Sequence, residues 1–263
     1  KKCTGEGDSL LKKLLESTNK YKKFIEFNLI FLSESNFLYR QKGQLKLDNT
    51  ILEEFLPYIV DNRLIPGLSG IGTYVTGPQK CFSRLHFGPI YSPLSDEGVY
   101  IKYKDQDFTV SKQYNITIKD NFNTNNSFNS NINVAYFVSE IKTNLDKTMF
   151  QEAAATAREL KTSVNTAKYV LLCEYIDMPP IDTRTTYIDQ VIILRQAKRL
   201  NSNIRSEFSD VKSRFEKKDY YESFLDENPL SFNSFSRLVY NLNQAFPKKS
   251  SLEENEVLSK GYF

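Results

Sequence analysis

The chain has 263 residues, of which 40% are hydrophobic, 13% aromatic and 25% charged, so one or two globular domains are expected and bulk disorder is excluded. A formal net charge of +3 permits a nucleic-acid partner without demanding one. No run of 18 apolar residues exists, so no membrane-spanning helix is predicted. Three cysteines without a C-x-x-C pair argue against a disulfide framework or a structural zinc, and a lone histidine excludes any mechanism that needs two.

The opening Lys1-Lys2-Cys3-Thr4-Gly5 lacks both Met and a signal-peptide core and reads as a trimmed start. Leu10, Leu11, Leu14 and Leu15 recur at helical spacing and predict a helix over 8–32. Asp48-Asn49-Thr50 is expected to cap a second helix, Ile51 to Ile59. From Pro66 to Pro93 glycines and prolines predict loops with one short strand. Val99 to Tyr103 and Phe108 to Ile118 alternate as two strands. Seven asparagines between Asn121 and Asn133 predict a solvated hairpin loop. Val134 to Val138 resumes as a strand apolar on both faces, hence central.

Thr148-Met149-Phe150-Gln151 fits a capping box, and Phe150, Ala153, Ala154, Ala157, Leu160 and Val164 form one helical stripe after it. Tyr169 to Cys173 and Val191 to Leu194 predict buried strands. The strand–helix–strand unit requires a parallel pair. The expected class is therefore α/β, a mixed central sheet flanked by helices, with helical N- and C-terminal additions. Three regions are expected: 1–92, mainly helical with a Gly/Pro-rich connection; 93–200, the core; and 201–263, helical.

The informative segment is Val138-Ser139-Glu140-Ile141-Lys142. Glu-x-Lys occurs three times, but Glu159-Leu160-Lys161 and Glu216-Lys217-Lys218 fall on predicted helices, where i and i+2 do not share a face. Glu140 and Lys142 end an apolar strand, where i and i+2 point the same way and Ile141 points into the core. A strand-end salt bridge is the competing reading. A Mg²⁺ site needs a further oxygen ligand. Asp107 is the first choice, with Asp105 and the Asp96-Glu97 pair as competitors. A loop centred on Asn126 would set Glu140 against Lys112, so Asp107 needs an asymmetric loop or a bulged strand to reach it.

Asp107, then Glu140-Ile141-Lys142, then a helix starting near Thr148 resembles the PD-(D/E)xK nuclease superfamily. The stretch from Glu140 to Ala153 resembles the Type II restriction endonucleases of the Bpu branch, which cut a CCTNAGC heptanucleotide. The likeness covers about residues 105–195, and no proline precedes Asp107. It implies a restriction-endonuclease-like core. Asp107, Glu140 and the Ile141 carbonyl would hold Mg²⁺. Lys142 would orient and activate water or stabilise charge on the phosphate. Gln151 or Glu152 would face the site, with capping as the plainer role for Gln151.

Other positions are open to two readings. Lys102, Lys104 and Lys112 flank the proposed site and could line a DNA groove. Arg195, Lys198 and Arg199 could contact phosphate or form a solvated face. His86 is a candidate base, with a hydrogen-bonded structural role as its rival. Asp182, Arg184 and Asp189 read as loop surface. The resemblance implies a Mg²⁺-dependent endonuclease acting on double-stranded DNA at a short sequence, as a homodimer or heterodimer in the bacterial cytoplasm, with no membrane partner. Its rivals are a nuclease without fixed sequence specificity, in antiviral or repair duty, and a non-catalytic DNA-binding subunit.

Overall fold

The computed structural model describes residues 4–91, 98–121, 126–247 and 258–259. The chain opens with helix α1, Gly7–Lys23, which runs on as a π-helical stretch, Phe24–Phe31. Two further helices follow, α2, Asn36–Gln41, and α3, Leu47–Phe55. The expected cap of α3 is displaced. The helix starts before Asp48, with Lys46 at its cap in the left-handed region (φ 51), and the Asp48 side chain lies outside the described residues.

Strands β1, Val75–Phe87; β2, Val99–Lys119; and β3, Ser127–Leu145, form an antiparallel meander. Helix α4, Lys147–Ser163, then crosses over to β4, Lys168–Ile176, and a loop leads to β5, Gln190–Lys198. Both pairs β3–β4 and β4–β5 are parallel, so the sheet is mixed, in the order β1-β2-β3-β4-β5. Four further helices follow: α5, Ser202–Glu207; α6, Val211–Glu216; α7, Lys218–Glu227; and α8, Phe232–Ala245.

Several expectations about elements are corrected. The Gly/Pro-rich segment holds a 13-residue edge strand, β1, and its Pro78 sits at a register break between Gly77 and Gln79, where the missing N–H leaves no ladder bond unmade. The two short central strands are one strand of 21 residues, because Lys104 and Asp105 pair with Cys81 and Lys80 and carry the ladder across the charged run. The second half of the asparagine run, from Ser127 on, is strand: Asn131 Oδ1 accepts from Asn115 Nδ2 at 3.0 Å, and Asn129 Oδ1 accepts from Thr117 Oγ1 at 2.7 Å, while 122–125 of the expected loop lie outside the described residues. Helix α4 is capped by Asp146, whose Oδ1 accepts from Met149 N at 2.9 Å, so Thr148 falls inside the first turn.

Each face of the sheet is covered by a different layer. Phe150, Ala153, Ala157 and Leu160 of α4 pack on Val138, Tyr169, Leu171 and Cys173, and the alanines let the helix lie close to the strands. The other face buries Phe108, Phe137, Ile141, Val170 and Leu172 against Leu11 of α1, Leu52 of α3 and Leu238 of α8. The cluster on this second face thus draws on all three expected regions, and the first of them contributes β1 to the sheet. Gly67 meets the end of α8 so closely that a Cβ there would lie 1.9 Å from the Phe246 carbonyl oxygen.

Candidate active site

The register of the β2–β3 hairpin decides which side chains meet. Lys119 pairs with Ser127, whereas a loop centred on Asn126 would have set it against Asn133. Val110 pairs with Phe137 while Ser111 pairs with Ala135, so Tyr136 is an extra, bulged residue. The first shift alone would set Glu140 against Gln106, and the bulge returns it by one residue to Asp107. Lys112 faces Val134, and Phe108 faces Ser139, which carries Asp107 to the level of Glu140.

Beyond Ser139 the amide of Ile141 is claimed by a side chain: Asp107 Oδ2 accepts from Ile141 N at 2.9 Å. Glu140 Oε1 accepts from the Lys142 ammonium at 2.8 Å. Its other oxygen, Oε2, accepts from the buried Tyr169 hydroxyl of β4 at 2.5 Å. The Glu140 carboxylate is therefore gripped from two sides. Ile141 points the other way, into the core. Burial lowers the Lys142 pKa, but Glu140, Asp107 and Glu152 outweigh that and hold it above the ordinary lysine value.

Sequence reasoning missed the contribution of α3. Asn49 Nδ2 donates to the Ile141 carbonyl at 3.2 Å, and Thr143 Oγ1 donates to Asn49 Oδ1 at 2.9 Å. One turn further on, Glu53 has its pKa raised by burial and by the charge of Asp107. Their i, i+4 spacing on a helix placed them on one face, the only local signal available. Tyr169 carried no local signal, since it reaches Glu140 only through the parallel pairing of β3 and β4.

These groups open into a cleft of about 400 Å³. Lys104, Asp105 and Glu159 line it with Asp107, Glu140, Lys142 and Glu152, making five carboxylates against two ammonium groups. Among the described residues no three His, Cys, Asp or Glu side chains cluster tightly enough to hold an ion by themselves. The donors that fit a metal are two carboxylates, Asp107 and Glu140, plus the Ile141 carbonyl. All are hard oxygens, and Mg²⁺ commonly takes one or two carboxylates with phosphate and water completing its shell. The acidic excess also calls for a cation before any phosphate can enter.

The remaining candidates are scattered. Lys102 is paired with Glu159 at 2.6 Å beside the cleft, Lys198 is exposed at the end of β5, and Arg199 borders a different cleft. Gln151 is exposed on α4, and His86 is exposed on the edge strand β1. Asp96 and Glu97 lie outside the described residues. Arg195 is turned inward: Nε meets Glu174 at 2.8 Å and Nη2 meets Glu26 at 2.7 Å, while Lys22 bonds the same two carboxylates at 2.8 and 2.7 Å. That closed ring of four buried charges removes Arg195 from the DNA-contact candidates. Asp189 is more than loop surface, since it accepts from Tyr169 N at 2.7 Å and pairs with Lys161 at 2.5 Å. Asp182 and Arg184 pair with each other at the surface.

A family model described as the Bpu10I restriction endonuclease matches residues 44–263. No curated protein matches the chain. Among solved structures, a chain of the native BbvCI A2B2 tetramer is similar at 16% identity and a TM-score of 0.39, over 82% of this chain and 88% of that one.

Proposed function

The chain belongs to the Bpu10I restriction endonuclease family, and from that premise we propose that it is a Mg²⁺-dependent Type II enzyme hydrolysing phosphodiester bonds of double-stranded DNA at a short fixed sequence. The observation that carries this reading is the convergence of Asp107, Glu140 and Lys142 on one strand exit, with Asp107 seated on the Ile141 amide.

In this reading Asp107, Glu140 and the Ile141 carbonyl hold the ion. Bound there, Mg²⁺ supplies a nucleophile at neutral pH and relief of charge on the phosphate. Tyr169 fixes the Glu140 carboxylate, and Asn49 fixes the Ile141 carbonyl. Lys142 directs its ammonium at the attacking water or at a phosphate oxygen. Glu152, exposed on the second turn of α4, faces the same cleft and helps to order water there. Lys104 lines the cleft mouth and meets the incoming backbone, with Lys102 and Lys112 further along β2. Lys198 and Arg199 extend the basic contact beyond β5. Cutting both strands of a duplex needs two such sites, so the working form is a homodimer or heterodimer, acting in the bacterial cytoplasm.

The test is digestion of a supercoiled plasmid of known sequence with Mg²⁺, followed by sequencing of the fragment ends. Discrete fragments sharing one end sequence are expected, and Glu140→Ala should abolish them while retaining DNA binding in Ca²⁺. Random ends would replace the restriction reading with a nonspecific nuclease. No metal-dependent nicking by the wild-type chain would leave only the DNA-binding subunit.

A further inference from the structure

The carboxyl ends of β3, β4 and β5 border a second cleft, of about 270 Å³. Arg40 of α2, Lys42, Arg199 and Arg205 of α5 line it, together with Thr143 and Tyr175. Thr143 is the neighbour of Lys142 on β3. The two side chains point to opposite faces of the sheet, so the two clefts flank a single strand exit.

The charge of this cleft is the reverse of the first. Its one lining carboxylate, Glu26, is already bonded to Lys22 and Arg195 in the buried ring. The four cations outnumber that carboxylate, and they exceed the net +3 of the whole chain. Two of them are held by their Nε alone: Arg40 bonds the Ser209 carbonyl at 3.2 Å, and Arg205 bonds the Leu200 carbonyl at 2.9 Å. Among the described residues neither guanidinium meets a carboxylate. Lys42 lies over the Tyr39 ring, 4.9 Å from its centroid. An anion entering the concavity would meet the open N–H groups of Arg40 and Arg205, and a planar guanidinium with open N–H groups matches the oxygens of a phosphate.

We propose that this cleft binds the sugar–phosphate backbone of the DNA duplex next to the bond cut in the first cleft. The proposal rests on the nuclease reading above and adds to it a site that holds phosphate by charge, without reading bases. The acidic cleft repels the backbone until a cation enters, and the basic cleft attracts it regardless.

The test measures binding of a fluorescent duplex in Ca²⁺ across a salt series. Removing one cation that neutralises a phosphate should reduce the slope of log K against log salt by about 0.9. The triple variant Arg40→Gln/Lys42→Gln/Arg205→Gln should therefore lose about 3 from the slope, and on the order of a hundredfold in affinity at 0.1 M salt. Arg40→Gln alone, with a melting curve matching wild type, should lose about one third of that slope. Lys212→Gln, at an exposed position outside both clefts, should keep the wild-type slope. The loss should be equal for two duplexes of unrelated sequence. A full wild-type slope in the triple variant, or a loss confined to one sequence, overturns the cleft assignment and leaves the nuclease reading standing. Failure of the wild-type chain to bind duplex DNA at all overturns both.

Discussion

Two constellations of carboxylates and cations share the sheet, and they are built to opposite ends. In the ring of Lys22, Glu26, Glu174 and Arg195, two anions and two cations are buried, and each meets two opposite charges. Around Glu140 the carboxylates outnumber the ammonium groups and the cleft is open. A balanced, closed set satisfies itself and has nothing left to offer a ligand. An unbalanced, open set keeps an electrostatic demand that only a cation and a substrate can meet. The same residue types on adjacent strands thus become scaffold or site according to whether their charges close.

Removing one cation from each set separates the two roles. Lys142→Met should lower cleavage by roughly 10³-fold, a typical cost of losing one charged group aimed at a reacting phosphate. It should change stability by less than about 1 kcal/mol, since Lys142 is partly solvated and the bridge it leaves is weak. Single-turnover kinetics and urea unfolding check the two halves. Arg195→Met should do the reverse. Leaving Glu26 and Glu174 buried with only Lys22 between them costs about 3–5 kcal/mol, a fall in Tm of roughly 10 °C for a chain of this size, with cleavage per folded molecule retained.

The ring also sets a pH dependence. Burial raises the Glu26 pKa, but the charges of Arg195 and Lys22 overcome it and pull the pKa down to about 2 from 4.5. A depressed carboxylate contributes stability that is fully present above its unfolded value and is lost as pH falls through the folded one. Urea midpoints should therefore fall between about pH 4.5 and 2, and Glu26→Gln should remove that component while lowering stability at neutral pH. Tyr169→Phe should act more mildly, by about 1 kcal/mol in stability and roughly tenfold in Ca²⁺ affinity, as expected when a group orienting a ligand is lost. Among the ring variants the smallest change is expected when all four residues become apolar together, within about 1–2 kcal/mol of wild type, because the burial cost and the attraction vanish at once. A large loss in that fourfold variant would show the ring to be stabilising in its own right.

The sequence disclosed what local pattern encodes. The apolar β3, the alanine stripe of α4 and the buried β4 were readable from periodicity, and Glu140 and Lys142 stood out because a strand puts i and i+2 on one face. What was lost depended on distance along the chain. β1 was hidden by Gly77 and Pro78, which mark a bulge on an edge strand as readily as a loop. Asn129 and Asn131 read as loop residues, yet each finds a partner across the hairpin. Whether Arg195 faced water or the interior depended on Lys22 and Glu26, 173 and 169 positions earlier. Asn49, Glu53 and Tyr169 reach the site only after the helix and the neighbouring strand have docked.

The extra residue at Tyr136 has a practical corollary. It lies between the end of the hairpin that carries Asp107 and Glu140 and the end that carries Lys119 and Ser127, and the ladder on both sides of it is continuous. Alignment of Asp107 with Glu140 is thus locked locally, and lengthening, shortening or grafting sequence at the outer end should leave it in place. Excising Tyr136 itself would remove the bulge and leave Val110–Phe137 and Ser111–Ala135 as consecutive pairs of one regular ladder, so the acid pair would stay level and the arm would lose only its extra twist.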